Sequence, residues 1–408
     1  MEKIIITLFF TISFCFFTNA QVDKVREDLN QIISDISTDY AYLDEKSIDL
    51  ECIKKFYNKQ IDSSKNRTDI VLLFENLLNE FYDSHLILNT NTNSSFRLYS
   101  PIYATFEKEK AVITSVWQTE LESLESNIIG AEIQKINGIN IKENIENFPT
   151  HCQDKNLPQV REWILNKLLA GQYDKSRILT LKTKDNAVIE LDLDKLKLKQ
   201  YEELVISKKV DNIGIIEIHN SLGNNNLISK LDSVLNDLMD TEGLIIDLRN
   251  TVDGGNSYVA RAIMGRFINE SLPYQVHTVE EQYDDSPKVD RKWIEYVNPR
   301  AEQYKKPLVI LVGRWTGSMG EGIAIGFDAM KRGKVVGSEM ERLAGEMYYF
   351  PFKNQSFGYR VSVAKLFHVN GIPREKYIPK YYIKQTTTQQ DEVLQKGISL
   401  IKNYKENE

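Results

Sequence analysis

Three short apolar segments in the second half of the chain constrain the fold most strongly. They occupy residues 213–218, 243–249 and 307–312, and their composition is typical of strands buried on both faces. The first is followed by a predicted helix over 228–238, the second by one over 257–267, and the third by one over 321–330. Strands that alternate with helices in this way indicate an α/β fold with a parallel sheet.

The third segment leads into a short loop, Gly317-Ser318-Met319-Gly320-Glu321, ahead of its helix. A serine between small residues at the end of a buried strand suits a nucleophile, because the loop exposes the hydroxyl and backbone amides surround it. The alternative is that Ser318 caps the helix and that Glu321 completes a capping box. The loop by itself leaves both interpretations open.

Length, composition and charge bound the class of protein. With 408 residues, of which 42% are hydrophobic, the chain can bury a large core and is expected to form two or three domains. Its formal net charge of -7 argues against nucleic acid or an anionic membrane surface as a general partner. We therefore expect no nucleic-acid partner.

The first twenty residues have the pattern of a secretory signal peptide. A lysine at position 3 is followed by an apolar run over 4–17 and then by Thr18-Asn19-Ala20, which predicts cleavage after Ala20. The run is short for a membrane span, and no later segment is long and apolar enough to replace it. The sequence predicts a mature protein without a membrane span, secreted or periplasmic.

Removal of the signal leaves two cysteines, Cys52 and Cys152. In an oxidising compartment they can form a disulfide, although two buried thiols are an equal alternative. Neither cysteine has the spacing to a second cysteine or a histidine that a zinc site needs. We predict no metal and no cofactor.

The pattern of hydrophobic residues and turns divides the mature chain into three parts. Residues 21–96 show helical spacing, with a helix predicted over 70–81, and form a helical N-terminal domain. Residues 97–196 contain short β segments, a tight turn at Asn137-Gly138 and one helix over 160–169. Small β domains of this kind often bind an extended peptide along a free edge. The third part, residues 197–408, forms the α/β core.

Several motifs together resemble peptidase family S41, the tail-specific or C-terminal processing proteases and the tricorn core. Residues 243–250 with Gly254-Gly255 are similar to the family's strand and glycine turn, and Ser318-Met319-Gly320-Glu321 to its nucleophile motif. Residues 129–138 resemble the late part of the family's PDZ-type domain. The resemblance spans nearly the whole mature chain.

The resemblance to family S41 implies a multi-domain α/β protein with a helical N-terminal cap, a PDZ-like β-rich domain and an S41-type core of the ClpP/crotonase-like class. It also implies a serine endopeptidase that hydrolyses peptide bonds through an acyl-enzyme, with a peptide or protein as substrate.

The chain departs from the family's processing proteases at the catalytic base. Those proteases pair serine with a lysine downstream, whereas residues 338–346 here contain no lysine. Arg342 cannot replace it, because a guanidinium stays protonated and cannot accept the serine proton.

The tricorn branch implies a different base. Asp83-Ser84-His85 resembles its Ser-His element, and Glu375 stands close to the position of its glutamate, although Pro379 precedes Lys380 where the family has an aspartate. The resemblance implies that His85 takes the proton of Ser318, that Glu375 orients the imidazole and that Ser84 links the carboxylate to it.

The same resemblance implies an oxyanion hole made by backbone amides of Gly254 or Gly255 and Met319. His368 is the main rival base, because it lies close to Glu375 in the sequence. His151, His219 and His277 have no motif context and are expected to be structural or exposed.

Two alternatives to a peptidase remain at this stage. One is a non-catalytic peptide- or ligand-binding protein that keeps the fold. The missing lysine favours this alternative, and the S41 fold resembles that of the retinoid-binding repeats of the vertebrate photoreceptor matrix. The other is a hydrolase of non-peptide esters, which the same nucleophile would serve.

Overall fold

The computed structural model describes residues 19–122, 124, 126–282 and 284–404. The predicted signal peptide lies outside these residues, apart from Asn19 and Ala20 at the start of the first helix. Within the described ranges, no helix is long and apolar enough to cross a membrane.

The elements follow one another in chain order. The helices are α1 (Asn19–Asp39), α2 (Leu50–Ile61), α3 (Arg67–Asn79), α4 (Ile141–Glu146), α5 (Pro158–Ala170), α6 (Leu227–Asn236), α7 (Ser257–Met264), α8 (Met319–Ala329) and α9 (Glu392–Lys402). The strands are β1 (Ile87–Leu88), β2 (Ile102–Glu107), β3 (Lys110–Val116), β4 (Glu132–Ile136), β5 (Ile139–Asn140), β6 (Ile178–Lys182), β7 (Val188–Asp192), β8 (Val205–Val210), β9 (Ile213–Ile218), β10 (Gly243–Asp247), β11 (Leu272–Glu281), β12 (Val289–Val297), β13 (Leu308–Val312), β14 (Lys334–Gly337), β15 (Glu346–Pro351), β16 (Gly358–Phe367) and β17 (Tyr381–Tyr382).

The core is a six-stranded sheet in the order β17-β14-β13-β10-β9-β8. Its strands pair in parallel except for β8, which is antiparallel to β9. Every residue of β10 and β13 is buried, because α6, α7 and α8 cover one face and α9 the other. The predicted α/β core is present, and β10 and β13 direct their carboxyl ends towards the same edge.

A second sheet, antiparallel, packs on the far side of α8. It has the order β1-β16-β11-β12, with β15 paired to β16. β1 begins two residues after His85 and joins the sheet through Ile87 opposite Arg360. This sheet was not predicted, and it supplies the wall opposite Ser318.

The N-terminal helices share a hydrophobic core with β15 and β16. Phe74 of α3 packs against Phe352 with ring centroids 4.4 Å apart, and Asp28 of α1 accepts a hydrogen bond from the Asn354 amide. Asp49 and Asn66 cap α2 and α3 by accepting from backbone amides in the first turn. Residues 21–79 therefore pack directly on the antiparallel sheet.

The middle region is a small antiparallel sheet in the order β2-β3-β4-β6-β7, with α5 packed on β2. The turn at Asn137-Gly138 is present, and both residues have positive φ, of 51° and 78°. A disulfide joins Cys52 of α2 to Cys152, with the Cα atoms 5.9 Å apart. Of the two alternatives for these cysteines, the bridge is the one that the structure contains.

Candidate active site

Ser318 stands between β13 and α8 in a strained backbone conformation. Its φ is 45° and its ψ is -105°, a combination that glycine adopts freely and that costs other residues about 1–3 kcal/mol. Its side chain caps no amide of α8, and Glu321 instead accepts from the Arg342 amide at 2.7 Å. The capping-box interpretation is therefore wrong, and the turn resembles the sharp strand-to-helix turn on which serine nucleophiles are exposed.

The glycine turn after β10 lies directly against this serine. A Cβ atom on Gly254, which has a φ of 63°, would lie 2.4 Å from the Ser318 Cβ and 2.9 Å from the Met319 amide nitrogen. One on Gly255 would lie 2.1 Å from the carbonyl carbon of Leu222. Only glycine allows so close an approach of the two loops.

The backbone amides predicted for the oxyanion hole differ in their availability. The Gly254 amide donates to the Thr251 carbonyl at 2.9 Å, so its hydrogen is already used inside the turn. In the part of the chain that the structure describes, the Gly255 and Met319 amides donate to no other group. Gly254 therefore contributes the close approach, and the other two amides remain as donors.

An open cavity adjoins Ser318. One wall consists of Ser318, Met319 and the Gly254-Gly255 turn. The opposite wall belongs to the antiparallel sheet and carries Gln275, His277, Glu295 and Glu346.

His85 is enclosed just ahead of β1, with 2% of its surface exposed. Its Nδ1 lies 2.8 Å from the Ala344 carbonyl, to which it donates, and its Nε2 is buried without a partner among the described residues. Burial lowers the pKa of His85 to about 4, and the charge of Arg374 acts in the same direction. The imidazole is therefore neutral at ordinary pH.

Ser84 and Glu375 line a different cavity, which Ser318 does not reach. Ser84 Oγ accepts from Trp163 Nε1 at 3.2 Å. Burial raises the pKa of Glu375, whose Oε2 is buried without a partner in the described ranges.

The segment 343–346 lies between the two cavities. Its first two residues line the cavity of Ser84 and Glu375, and its last two line the cavity of Ser318. Arg374 fixes this segment by donating to the Leu343 and Gly345 carbonyls at 3.0 and 2.9 Å. The structure thus brings together Ser318, Met319, Gly254 and Gly255, and places Ser84 and Glu375 beyond this segment.

The rival base His368 lies at the other end of α8. Its Nε2 is 3.4 Å from Asp328 in the last turn of that helix. Ten residues of helix separate Asp328 from Ser318, a distance of about 15 Å. His368 is therefore not a base for Ser318 in this arrangement.

Two buried carboxyl groups lie beneath the nucleophile loop. Burial raises the pKa of Glu321 to about 7, with Arg374 Nε 3.8 Å away as a partial counter-charge. Burial, and then the charge of Glu321, raises the pKa of Glu341 well above its usual range. Glu341 falls in the stretch without a lysine, and its Oε2 would lie 2.3 Å from a Cβ on Gly317.

His277 was expected to be structural or exposed, and it lines the Ser318 cavity instead. Its ring is 4% exposed, stacks on Trp293 with centroids 4.8 Å apart, and places Nδ1 3.0 Å from Glu346. No motif surrounds it, so only the pairing of distant strands reveals its position. Among the described residues, no group of histidine, cysteine and carboxylate side chains could hold a metal ion.

A strained serine at the end of a parallel strand, two free amides beside it and an open cavity define the site of an α/β serine hydrolase. The sequence model of peptidase family S41 matches residues 212–381, and that of the tricorn protease C1 domain matches residues 21–79. The chain belongs to peptidase family S41 and is a serine-type peptidase, a hydrolase of peptide bonds.

Solved structures of other proteins share the fold of this chain. Mature CPAF in complex with lactacystin is 13% identical with a TM-score of 0.59, and the match covers 94% of this chain and 98% of that one. The photosystem II D1 C-terminal processing protease is 14% identical with a TM-score of 0.56, covering 92% and 96%. A putative peptidase from Parabacteroides merdae is 13% identical with a TM-score of 0.55, covering 93% and 96%. No curated protein sequence matches the chain.

Proposed function

We propose that the protein is a secreted or periplasmic endopeptidase that cleaves peptide bonds through an acyl-enzyme on Ser318. The observation that carries this proposal is the strained backbone at Ser318, which presents the hydroxyl to the cavity and would serve no purpose in a helix cap. The disulfide between the N-terminal helices and the middle domain supports an oxidising compartment.

In the first step Ser318 Oγ attacks the carbonyl carbon of the scissile bond and a histidine accepts its proton. The negative charge moves to the carbonyl oxygen, where the Gly255 and Met319 amides donate hydrogen bonds to it. The carbon–nitrogen bond then breaks, and the leaving amine takes the proton from the histidine. Water hydrolyses the acyl-enzyme by the same steps.

His85 is the base that the family resemblance implies, and two features support the role. Its Nε2 carries no competing hydrogen bond among the described residues, and its lowered pKa keeps it neutral. In this proposal Glu375 and Ser84 complete the relay once the segment 343–346, which now lies between them and Ser318, has moved.

The middle domain is proposed to be a PDZ-like module that binds an extended peptide. Its β-rich sheet with α5 packed on β2 offers strand edges to which a peptide can add by backbone hydrogen bonds. A bound peptide would then be held close to the Ser318 cavity, since Trp117 of this domain contacts the loop before Ser318.

The nucleophile is tested by labelling the mature protein with a fluorophosphonate probe, with Ser318→Ala as the matched control. We expect labelling of the wild type only, and cleavage of a mixed peptide library by the wild type only. A folded wild type that does not label would contradict the proposal and favour the binding-protein alternative. Labelling without peptide cleavage would favour a hydrolase of non-peptide esters.

A further inference from the structure

We propose that residues 340–346 form an autoinhibitory latch between His85 and Ser318, and that negative charge on two carboxyl groups buried beneath it, those of Glu321 and Glu341, opens the latch. The inference rests on the proposed function, in which the last four of these residues have to move before His85 can serve Ser318. It adds the contacts that hold the latch closed and the charge that releases it.

The first half of the latch is bonded to the loop that carries the nucleophile. The Glu341 amide donates to the Thr316 carbonyl at 3.1 Å. The Arg342 amide donates to the carboxyl group of Glu321 at 2.7 Å. Because Thr316 and Glu321 stand on either side of Ser318 in the chain, two successive residues of the latch are tied to both ends of the strained turn.

His85 itself holds the second half of the latch. The Ala344 carbonyl accepts from His85 Nδ1 at 2.8 Å and from Ser362 Oγ at 2.7 Å. Arg374 donates to the carbonyl groups on either side of Ala344. The hydrogen on Nδ1 is therefore used on the latch, whereas the proposed relay requires it for Glu375. Opening the latch frees the imidazole for that relay.

The closed latch is strained at Arg342. Its φ of 65° lies in the left-handed region, which glycine adopts freely and other residues adopt only where the surrounding structure imposes it. The Arg342 side chain is 46% exposed, so the bond from its amide to Glu321, rather than side-chain packing, imposes this conformation. Release of the latch relieves the strain, which lowers the free energy needed for opening.

The two carboxyl groups beneath the latch are only partly bonded. Glu321 is 0% exposed, and its Oε2 has no hydrogen-bond partner in the described part of the chain, since Arg374 Nε is 3.8 Å away. Glu341 Oε2 is buried against the backbone of Gly317, where a Cβ would lie 2.3 Å from it, and it too has no partner there. A second negative charge at this place would be poorly solvated.

This environment makes the closed latch sensitive to pH. Burial raises the pKa of Glu321 to about 7, although Arg374 and the Arg342 amide favour its charged form. Burial, and then the charge of Glu321, raises the pKa of Glu341 well above its usual range. In an open latch both groups ionise near the ordinary 4.5, so the closed latch loses stability as pH rises from that value through 7. The other charged side chains that act on the pair are Arg314, Asp253 and Glu375.

The first experiment measures the rate of fluorophosphonate labelling of the mature protein at pH 5 and pH 8. Glu341→Gln is the test variant, because its neutral amide imitates the protonated carboxyl group. Glu339→Gln is the matched control, since Glu339 lies two residues earlier and its side chain is 35% exposed. We expect Glu341→Gln to label about tenfold more slowly than the wild type at pH 8 and within a few-fold of it at pH 5, and the control to follow the wild type. Equal rates for Glu341→Gln and the wild type at pH 8 would overturn the proposal.

Hydrogen exchange of the latch amides tests the opening without any activity, in proteins that also carry Ser318→Ala. At pH 8 residues 340–346 should exchange about tenfold more slowly with Glu341→Gln than without it, and at pH 5 equally fast. Glu321→Gln should have the same effect and replaces Glu341→Gln if that variant does not fold. This difference in a protein that never labels would keep the latch and contradict the nucleophile, whereas labelling without the difference would contradict the latch alone.

Discussion

Ser318 combines a backbone conformation suited to glycine with a place in the lining of the open cavity. A strained residue persists where the surrounding structure determines its conformation and where the strain is useful. Here the Gly254-Gly255 turn and the first turn of α8 fix the conformation from two sides.

This strain predicts a difference between two inactive variants. Ser318→Gly should be more stable than Ser318→Ala by about 1 kcal/mol, because glycine removes the strain of the positive φ and alanine does not. Thermal and urea unfolding of both variants measure the difference, and fluorophosphonate labelling should be absent from both. Equal stability would show that the turn relaxes when the hydroxyl is lost.

The raised pKa of Glu321 predicts that the free energy of unfolding depends on pH. Burial raises its pKa from 4.5 to about 7, so the folded state favours the protonated form and becomes less stable as pH rises between these values. In Glu321→Gln the amide oxygen can still accept from the Arg342 amide, and this cost disappears. From pH 5 to pH 8 the unfolding free energy of the variant relative to wild type should rise by about 2 kcal/mol.

Urea unfolding at the two pH values checks this prediction, and a pH-independent difference between the two proteins would contradict it. Glu346→Gln serves as the exposed comparison, since that side chain is partly in solvent.

At this scale the sequence predicted that Ser318 and the Gly254-Gly255 turn lie together, because motif and local turn chemistry agree there. It did not find His277, whose environment depends on strands that meet only in the folded chain. It also could not show that the Gly254 amide is already bonded within its own turn.

Among the elements, those of the α/β core were predictable and those of the antiparallel sheet were not. Buried parallel strands such as β13 are continuous apolar runs, and their bounds in the structure fall within a residue or two of the prediction. β12 is largely exposed and carries charged residues along its length, so no apolar run marks it. β1 has two residues and finds its partner in β16, far along the chain. Neither feature appears in a local sequence pattern.

The disulfide is an element-scale staple between α2 and the loop before α5. It closes a loop with a sequence separation of 100 residues, for which removal commonly costs about 2–4 kcal/mol. Glu80, which is 1% exposed, holds the same loop independently by accepting from the His151 and Cys152 amides at 2.7 and 3.0 Å. We therefore expect loss of stability without loss of the fold.

The variant Cys52→Ser/Cys152→Ser should unfold at lower urea concentration than the wild type under oxidising conditions. Added reductant should lower the stability of the wild type to that of the variant and leave the variant unchanged. If full reduction of the disulfide left the stability of the wild type unchanged, the disulfide would not stabilise the fold.

At the scale of the whole molecule, two stacked tryptophans join the middle region, residues 97–196, to the segments that precede Ser318 and the Gly254-Gly255 turn. Trp117 follows β3 and stacks on Trp315, three residues before Ser318, with the rings 5.2 Å apart and parallel within 1°. Its Nε1 donates to the Arg249 carbonyl and to Asn250 Oδ1, which lie just before the glycine turn. Trp315 Nε1 donates back to the Ser100 carbonyl of the middle domain at 2.9 Å.

This contact predicts that the middle domain sets the geometry of the nucleophile. Trp117→Ala removes a 5% exposed ring and leaves Trp315 without its stacking partner, so the loop before Ser318 should lose its fixed position. We expect the rate of fluorophosphonate labelling to fall on the order of 10- to 100-fold, since small displacements of a catalytic group have effects of this size. Trp117→Phe keeps an aromatic ring and should lie between the two. A Trp117→Ala variant that is destabilised yet labels at the wild-type rate would show that the tryptophans join the domains without positioning Ser318.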